Sequence, residues 1–159
     1  MILCLIGTSP YSFERLVKKV DETIANDNIV FIQIGHTAYK PKNCNFTKFV
    51  ENTKLLEMIK GADLIITQGG YGSMMDAIQL NKKVIAIPRE EKYKELIGNQ
   101  SELVEYFASK KYVVGCYDMH DLEKLVKLCL KEGCEFMEYI PESNVKISTE
   151  IGEYLKAVW

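Results

Sequence analysis

Hydrophobic positions along the chain follow two alternating patterns. Short uninterrupted apolar runs are typical of strands buried on both faces of a parallel sheet, and they alternate with segments whose apolar residues recur at helical spacing. Strands are predicted at residues 1–6, 29–34, 46–50, 64–66, 84–87 and 112–116, with an amphipathic helix after each. This alternation predicts an α/β domain, a Rossmann-like doubly wound parallel sheet.

The segment from Ala62 to Pro88 reads as strand, glycine loop, helix and strand. A glycine loop that enters a helix leaves backbone N–H groups free, and the helix dipole adds positive charge there, so an anion is the expected ligand. The candidate residues are Gly69, Gly70, Gly72 and Ser73. Their spacing matches neither GxxxxGK[ST] nor GxGxxG, and the alternative is that the glycines only permit a tight turn.

Asp76 lies four residues after Gly72, and we expect it in the first turn of the helix. A carboxylate beside an anion-binding loop can accept hydrogen bonds from the paired hydroxyls of a ribose. The alternative is an ordinary acidic residue that interacts with the helix dipole.

A second loop of small residues follows the first strand. Thr8 and Ser9 can donate hydrogen bonds to a phosphate, or they can serve only in a turn. Ser12 is predicted to cap the next helix.

Polar residues also follow other predicted strands. His36 is a conceivable general base, although a packed or exposed loop histidine is the preferred interpretation. The charged run 89–95 is expected to be a solvated face, at a sheet edge where ligands bind. Asn99 and Gln100 carry amides suited to sugar hydroxyls, and Asn99 can alternatively be a helix N-cap.

Composition excludes several classes of function. The 159 residues carry a formal net charge of −2 without a basic stripe, so nucleic acid is not an expected ligand. No apolar run is long enough to span a membrane. The five cysteines are scattered, none forms CxxC, and only two histidines are present, so neither a zinc site nor a disulfide framework is predicted. We expect reduced thiols in a cytosolic protein.

The last part of the chain has a different pattern. We expect a Rossmann-like domain over 1–135 and a C-terminal extension over 136–159 that ends in an amphipathic helix. Its apolar face is formed by Ile147, Ile151, Tyr154, Leu155, Val158 and Trp159. This face is expected to dock on the domain or on a partner.

Several short motifs in a fixed order carry a family resemblance. They are Gly7-Thr8, the segments 13–16, 31–35 and 62–73, the pair Pro88-Arg89 and the pair Asn99-Gln100. Together they resemble the C-terminal, donor-binding half of GT-B glycosyltransferases. Within that group, the chain is similar to the stand-alone catalytic subunits of two-component enzymes of N-glycan assembly and of bacterial exopolysaccharide and capsule synthesis.

The resemblance implies roles for individual residues. Contacts to the donor's diphosphate are implied for Thr8, Ser9, Gly69, Gly70, Gly72 and Ser73. Asp76 would bind the uridine ribose, at a position where the family usually has glutamate. Phe49 and Val50 match the uracil-binding segment. Contacts to the transferred sugar are implied for Arg89, Asn99 and Gln100.

The resemblance also implies an activity. The chain would bind a UDP-sugar and support inverting transfer of a hexosyl or N-acetylhexosaminyl group without a metal or other cofactor. The general base and the acceptor site would lie on a membrane-anchored partner subunit that presents a lipid-linked saccharide. The chain would therefore act at the cytoplasmic face of the membrane, and in isolation it is a possible homo-oligomer.

Two alternatives remain open. One is a regulatory subunit that binds a nucleotide sugar without turnover. The other is a Rossmann-type enzyme that uses NAD or another nucleotide. The sequence lacks GxGxxG and an acidic residue at the end of the second strand, and both absences argue against this alternative.

Overall fold

The computed structural model describes residues 1–96 and 99–140. The strands are Ile2–Leu5 (β1), Val30–Gln33 (β2), Asn45–Thr47 (β3), Leu64–Gln68 (β4), Val84–Ile87 (β5) and Val114–Gly115 (β6). The α-helices are Glu14–Lys19 (α1), Asn52–Gly61 (α2), Tyr71–Gln79 (α3), Ser101–Ser109 (α4) and Leu122–Leu130 (α5). A π-helical turn, Val20–Ile24, continues α1, and a short 3-10 turn covers Glu91–Tyr93.

All six strands form one sheet in the order β3-β2-β1-β4-β5-β6, and each neighbouring pair is parallel. Ile2 in β1 lies opposite Val30 in β2 and Leu64 in β4. The predicted doubly wound, Rossmann-like sheet is confirmed. Because the strands run in one direction, all their carboxyl ends meet at one edge, and the loops at that edge lie side by side.

The helices cover both faces of the sheet. On one face, the buried side chains of α1 and α5 pack against alternate strand residues such as Cys4 and Ile66. On the other face, the buried side chains of α2, α3 and α4 pack against the intervening residues, such as Leu3 and Ile65. Strands buried on both sides explain why the sequence shows continuous apolar runs instead of alternation.

Some element boundaries differ from the prediction. The third strand ends at Thr47, and Phe49 and Val50 lie beyond it, because the Thr47 hydroxyl donates to the Phe49 carbonyl and closes a turn. Ser12 does not cap α1. Instead, the Thr37 hydroxyl accepts a 3.0 Å hydrogen bond from the amide of Phe13, the residue that precedes α1.

A buried carboxylate organises the long loop after β2. Asp21, in the π-helical turn, accepts hydrogen bonds from the Tyr39 hydroxyl and from the amides of Lys42 and Asn43 at 2.7–3.0 Å. The Cys44 thiol also contacts this carboxylate, at 3.6 Å. These bonds fix the loop against the end of α1, which explains how so polar a segment is ordered.

The expectation of uniformly reduced thiols is wrong for one pair. Cys129 and Cys134 form a disulfide, with Cα atoms 4.9 Å apart. The chain reverses direction just after α5, where Glu132 has a φ of 60° and the Gly133 amide donates to the Leu128 carbonyl. That reversal brings together two cysteines whose spacing is not a recognised motif. Cys4, Cys44 and Cys116 are free.

After Cys134 the chain runs along the amino edge of the sheet. Phe136 packs on the core beneath α1 and α5, and Tyr139 packs on the opposite core. The Met137 amide donates to the Lys111 carbonyl. The predicted terminal helix and its docking face lie outside the described residues. Within the described part of the chain, no helix combines the length and apolar character needed to cross a membrane.

Candidate functional site

The candidate site lies at the carboxyl edge of the sheet, where β1 and β4 are neighbours. From β1 the chain proceeds outward through β2 to β3, and from β4 it proceeds the opposite way through β5 to β6. The loop after β1 leads to α1 on one face, and the loop after β4 leads to α3 on the other. Loops that diverge at such a point leave a crevice between them, where ligands of open α/β sheets bind.

The start of α3 supplies the main polar groups of this crevice. Gly70 is the N-cap residue, no side chain among residues 1–96 and 99–140 caps the helix, and its first turn contains no acidic residue. The first amides of a helix have no partner within it. Within the described part of the chain, an added Cβ at Gly72 would meet no atom within 4 Å, so the first turn is not covered at this position. The partly exposed Ser73 stands in the same turn. This arrangement suits an anion.

The neighbouring glycines lie where an added Cβ would be crowded. A Cβ on Gly69 would lie 2.6 Å from Val104 of α4, and one on Gly70 would lie 3.0 Å from the Gln68 side chain. Gly7 has a φ of 70°, and a Cβ there would lie 2.1 Å from Gln68 Nε2. The packing interpretation of the glycines is therefore supported at Gly7 and Gly69, and the anion-binding interpretation stays a prediction.

The loop after β1 contributes less regular groups. Thr8 is exposed in this loop, three residues after the end of β1. The Ser9 hydroxyl accepts a hydrogen bond from the Tyr11 amide, and the Ser9 carbonyl lies 2.9 Å from His36 Nδ1. Ser9 is thus engaged in its own loop, as the turn alternative describes, whereas the side chain of Thr8 faces solvent.

Asp76 lies in the second turn of α3, not the first as predicted, because the helix begins at Tyr71. The carboxylate is partly buried, and that burial raises its pKa above the ordinary value. Among the described residues it has no hydrogen-bond or ion-pair partner. A partly desolvated carboxylate without a partner is better placed to accept hydrogen bonds from a ligand than to stabilise the helix.

Phe49 and Val50 follow β3 at the same edge. The Phe49 ring is 44% exposed and meets the His36 ring edge-on, with centroids 5.2 Å apart. His36 therefore connects the loops after β1, β2 and β3, and it is exposed, which agrees with the expectation of a packed or exposed loop histidine. The exposed ring and the adjacent main chain present a surface on which a planar base can lie.

Asn99 and Gln100 lie at the start of α4. The Asn99 carboxamide oxygen accepts a 2.8 Å hydrogen bond from the Ser101 amide, the first of the helix. The N-cap residue itself is Gln100, so Asn99 is not the N-cap that its alternative describes. Gln100 Oε1 accepts from the Arg89 amide at 3.1 Å, and the Gln100 Cβ lies 3.2 Å from where a Gly69 Cβ would be. The structure thus brings Gln100 next to the glycine loop.

Arg89 points inward instead of toward solvent. The residue is 1% exposed, and all three guanidinium nitrogens donate within the protein. The acceptors are Gln68 Oε1 and the carbonyls of Ile6, Tyr11, Ser12 and Glu95. Burial lowers its pKa to about 10, although Glu95 opposes that effect. The sugar contact implied for Arg89 finds no support in this geometry, and we leave Arg89 out of the sugar site.

The expectation of a solvated charged face is also wrong for Glu95, which is 4% exposed. Its carboxylate receives the Arg15 guanidinium at 2.7 and 3.0 Å and the Glu90 amide at 3.0 Å. Glu91, Lys92 and Lys94 remain exposed, as predicted. The sequence analysis did not identify Gln68, Arg15 or Glu95 as part of this site. For Glu95, nothing in the local pattern distinguishes a buried charge in the run 89–95 from an exposed one.

The family follows from comparison with known proteins. The model of the family described as "Glycosyltransferase family 28 C-terminal domain" matches residues 1–153 of this chain. The chain belongs to this family.

Relatives of this family 28 domain have similar names. An uncharacterized glycosyltransferase of Methanosarcina mazei is 38% identical over 65 residues, which are 41% of this chain and 16% of that protein. The UDP-N-acetylglucosamine transferase subunit ALG13 of Candida albicans is 28% identical over 92 residues, 58% of this chain and 30% of that protein. The chain therefore spans less than a third of the length of either relative.

Solved structures share the fold of this family 28 domain. The spinosyn forosaminyltransferase SpnP superposes with a TM-score of 0.62 at 14% identity, over 83% of this chain and 35% of that one. The solution structure of ALG13 superposes with a TM-score of 0.59 at 18% identity, over 88% of this chain and 90% of that one. These matches confirm the Rossmann-like fold of a GT-B C-terminal half.

Proposed function

We propose that this chain is the donor-binding unit of a glycosyltransferase that uses a UDP-sugar. The observation that carries the proposal is the open, uncapped start of α3 with the unpartnered Asp76 one turn further along the same helix. The first feature suits a diphosphate and the second suits the two hydroxyls of a ribose. Membership of the family supports the same assignment.

In this proposal the loops stabilise the leaving group. The acceptor's hydroxyl oxygen bonds to the anomeric carbon, the bond from that carbon to the UDP oxygen breaks, and a general base takes the hydroxyl proton. Negative charge then grows on the diphosphate. The amides of Gly72 and Ser73, the Ser73 hydroxyl and the Thr8 hydroxyl are the groups available to stabilise that charge, and this protein environment is already oriented. We propose that the transfer proceeds with inversion and without a metal.

The transferred sugar and the uracil occupy opposite sides of the diphosphate in this arrangement. The side-chain amide of Gln100, beside Gly69, is assigned to the sugar, and we place Asn99 at the edge of the same site. Phe49 and Val50, in the loop that follows β3, are assigned to the uracil. This division uses loops on both sides of the β1–β4 neighbours.

We assign the general base and the acceptor site to a second polypeptide. The name of the Candida albicans relative describes a subunit, which supports a two-component enzyme. We propose a membrane-anchored glycosyltransferase subunit as the partner and a lipid-linked saccharide as the acceptor, in polysaccharide biosynthesis. The same name makes UDP-N-acetylglucosamine the first donor to test.

Calorimetry with the isolated chain tests the donor site. UDP should bind, uridine should bind more weakly because it lacks the phosphates, and NAD and ATP should bind more weakly than UDP. Asp76→Ala should weaken UDP binding, whereas Asp27→Ala, an exposed aspartate beyond α1, should leave it unchanged. Tighter binding of NAD or ATP than of UDP would refute the proposal.

Reconstitution tests turnover. The chain and its membrane partner should transfer sugar from a UDP-sugar to the lipid-linked acceptor, and a chelator should not abolish the activity. If Asp76→Ala abolishes UDP binding while activity of the reconstituted pair is unchanged, the chain is a regulatory subunit and not the donor site.

A further inference from the structure

Gln68, the last residue of β4, fills the gap between the two glycine loops. Its Nε2 lies 2.1 Å from the position that a Cβ on Gly7 would take and 3.0 Å from that on Gly70. Its Oε1 accepts a hydrogen bond from Arg89 Nε. A guanidinium has only hydrogen-bond donors, so the Gln68 amide must turn its oxygen, not its NH₂ group, toward Arg89. The oxygen faces Arg89, and the NH₂ group faces the gap.

The NH₂ group has an unused capacity to donate. Within residues 1–96 and 99–140, Gln68 Nε2 donates no hydrogen bond. The atom is also not fully enclosed by the protein. This NH₂ group lies beside Gly7 and Gly70, in the two loops that border the crevice. A polar group in this position gains most from an acceptor supplied by a ligand, because its loss of water is otherwise uncompensated.

Arg89 connects this amide to the rest of the site. The same guanidinium donates to the carbonyls of Ile6, Tyr11 and Ser12, which flank the Thr8 loop, at 3.0 Å each. One buried side chain thus sets the path of the loop after β1 and the orientation of the residue that precedes the loop after β4. Because Arg89 is always protonated at neutral pH, this orientation does not depend on physiological pH.

We propose that Arg89 is a positioning residue, which holds the Gln68 amide so that its N–H bonds face the diphosphate together with the first amides of α3. This inference rests on the proposed function. It differs from a purely structural role because it predicts a specific loss of phosphate affinity when the amide is changed and the fold is kept.

Gln68→Glu is the decisive variant. A carboxylate keeps the acceptor for Arg89 and strengthens that pair, so the melting temperature should be equal to or above that of the wild-type chain. The second oxygen would face the diphosphate in place of the NH₂ group and repel it. We expect UDP affinity to fall about ten- to hundredfold, the range for a charge-assisted hydrogen bond, with little change for uridine. Gln79→Glu, at the far end of α3, adds the same charge and should bind UDP as the wild-type chain does.

Arg89→Lys tests the positioning step. A lysine keeps the charge but not the fork of donors, so the Gln68 amide is released. UDP affinity should fall in the wild-type background and fall by a smaller factor in the Gln68→Glu background, where only the effect of Arg89 through the Thr8 loop remains. Equal losses in both backgrounds would show that Arg89 does not act through Gln68.

The outcomes separate the two proposals. If the wild-type chain does not bind UDP, the proposed function is wrong and this inference falls with it. If the wild-type chain binds UDP and Gln68→Glu binds it equally well, only the inference is overturned. The Gln68→Glu measurement decides the question even if Arg89→Lys does not fold.

Discussion

Arg15 and Glu95, 80 positions apart in the chain, form a two-point ion pair beneath the loop that follows β5. Arg15 Nε lies 2.7 Å from Glu95 Oε1, and Arg15 Nη2 lies 3.0 Å from Glu95 Oε2. The Arg15 guanidinium is also stacked on the rings of Phe13 and Tyr93, at 5.1 and 4.8 Å. The pair fastens the loop between Pro88 and Glu95 to α1, and so supports the side of the crevice where Arg89 lies.

Glu95→Ala should therefore destabilise the fold. Removing one partner of a buried ion pair leaves the other charge uncompensated, and we expect a loss of about 3 kcal/mol in the free energy of unfolding. Urea titration measures this. Glu91→Ala, an exposed glutamate in the same loop, is the matched control and should lie within about 0.5 kcal/mol of the wild-type chain. Similar losses for both variants would contradict the assigned role of the ion pair.

Gly7→Ala should be destabilising where Gly72→Ala is not. Gly7 has a φ of 70° and almost touches Gln68, so alanine adds backbone strain of about 1–2 kcal/mol and displaces that side chain. Gly72 lies inside α3 and no described residue is near its Cβ position, so alanine there should stabilise the helix by up to about 1 kcal/mol. Thermal unfolding of the two variants gives the comparison, and equal melting temperatures would refute it.

Asp76→Asn should stabilise the fold while it weakens UDP binding. The pKa of Asp76 is raised by burial, so the folded state binds this proton more tightly than the unfolded state. Stability is then lost as the pH rises through the unfolded and then the folded pKa, and at pH 7 the full penalty is present. Asparagine removes that penalty. A higher melting temperature at pH 7, with a smaller difference near pH 3, is the expected result, and a lower melting temperature at pH 7 would contradict it.

Asp21 should have the opposite pH dependence. Burial alone would raise its pKa, but the hydrogen bonds from the Lys42 and Asn43 amides and from the Tyr39 hydroxyl outweigh it, and the pKa lies below the ordinary value. The stabilisation is therefore complete above the unfolded pKa of about 4 and is lost as the pH falls through the folded pKa.

Asp21→Asn should remove about 2 kcal/mol at pH 7, as expected for the loss of hydrogen bonds to a charged group, and less in acid. Urea titrations at pH 7 and pH 3 measure the difference. An acid-induced loss of stability in Asp21→Asn as large as that of the wild-type chain would show that other carboxylates cause it.

The disulfide can be tested by counting thiols. Denatured without reductant, the chain should show three reactive thiols, from Cys4, Cys44 and Cys116. Reduction should expose the remaining pair and lower the free energy of unfolding by about 2 kcal/mol, because the short closed loop constrains the unfolded chain. Cys134→Ser should reproduce the effect of reduction, and five reactive thiols before reduction would rule out the bond.

Much of the fold was predictable because its signals are local. Continuous apolar runs such as the one through Leu64 and Ile66 belong to strands covered on both faces, and the helical stripes between them imply parallel connections. The position of the glycine loop followed from the same pattern. Exact boundaries were not predictable, since single long-range hydrogen bonds, such as that from the Phe13 amide to Thr37, decide them.

The sequence by itself determined the class of the domain, the order of its elements and the presence of a glycine loop before a helix, because spacing and side-chain type are encoded locally. Only the tertiary structure decided that Arg89 and Glu95 are buried, that Gln68 lies between Gly7 and Gly70, and that Cys129 pairs with Cys134. Each of these depends on which distant segments the folded chain brings within a few ångströms. A charged or polar residue has the same local pattern whether it meets water or a buried partner, so its role appears only when that partner is in place.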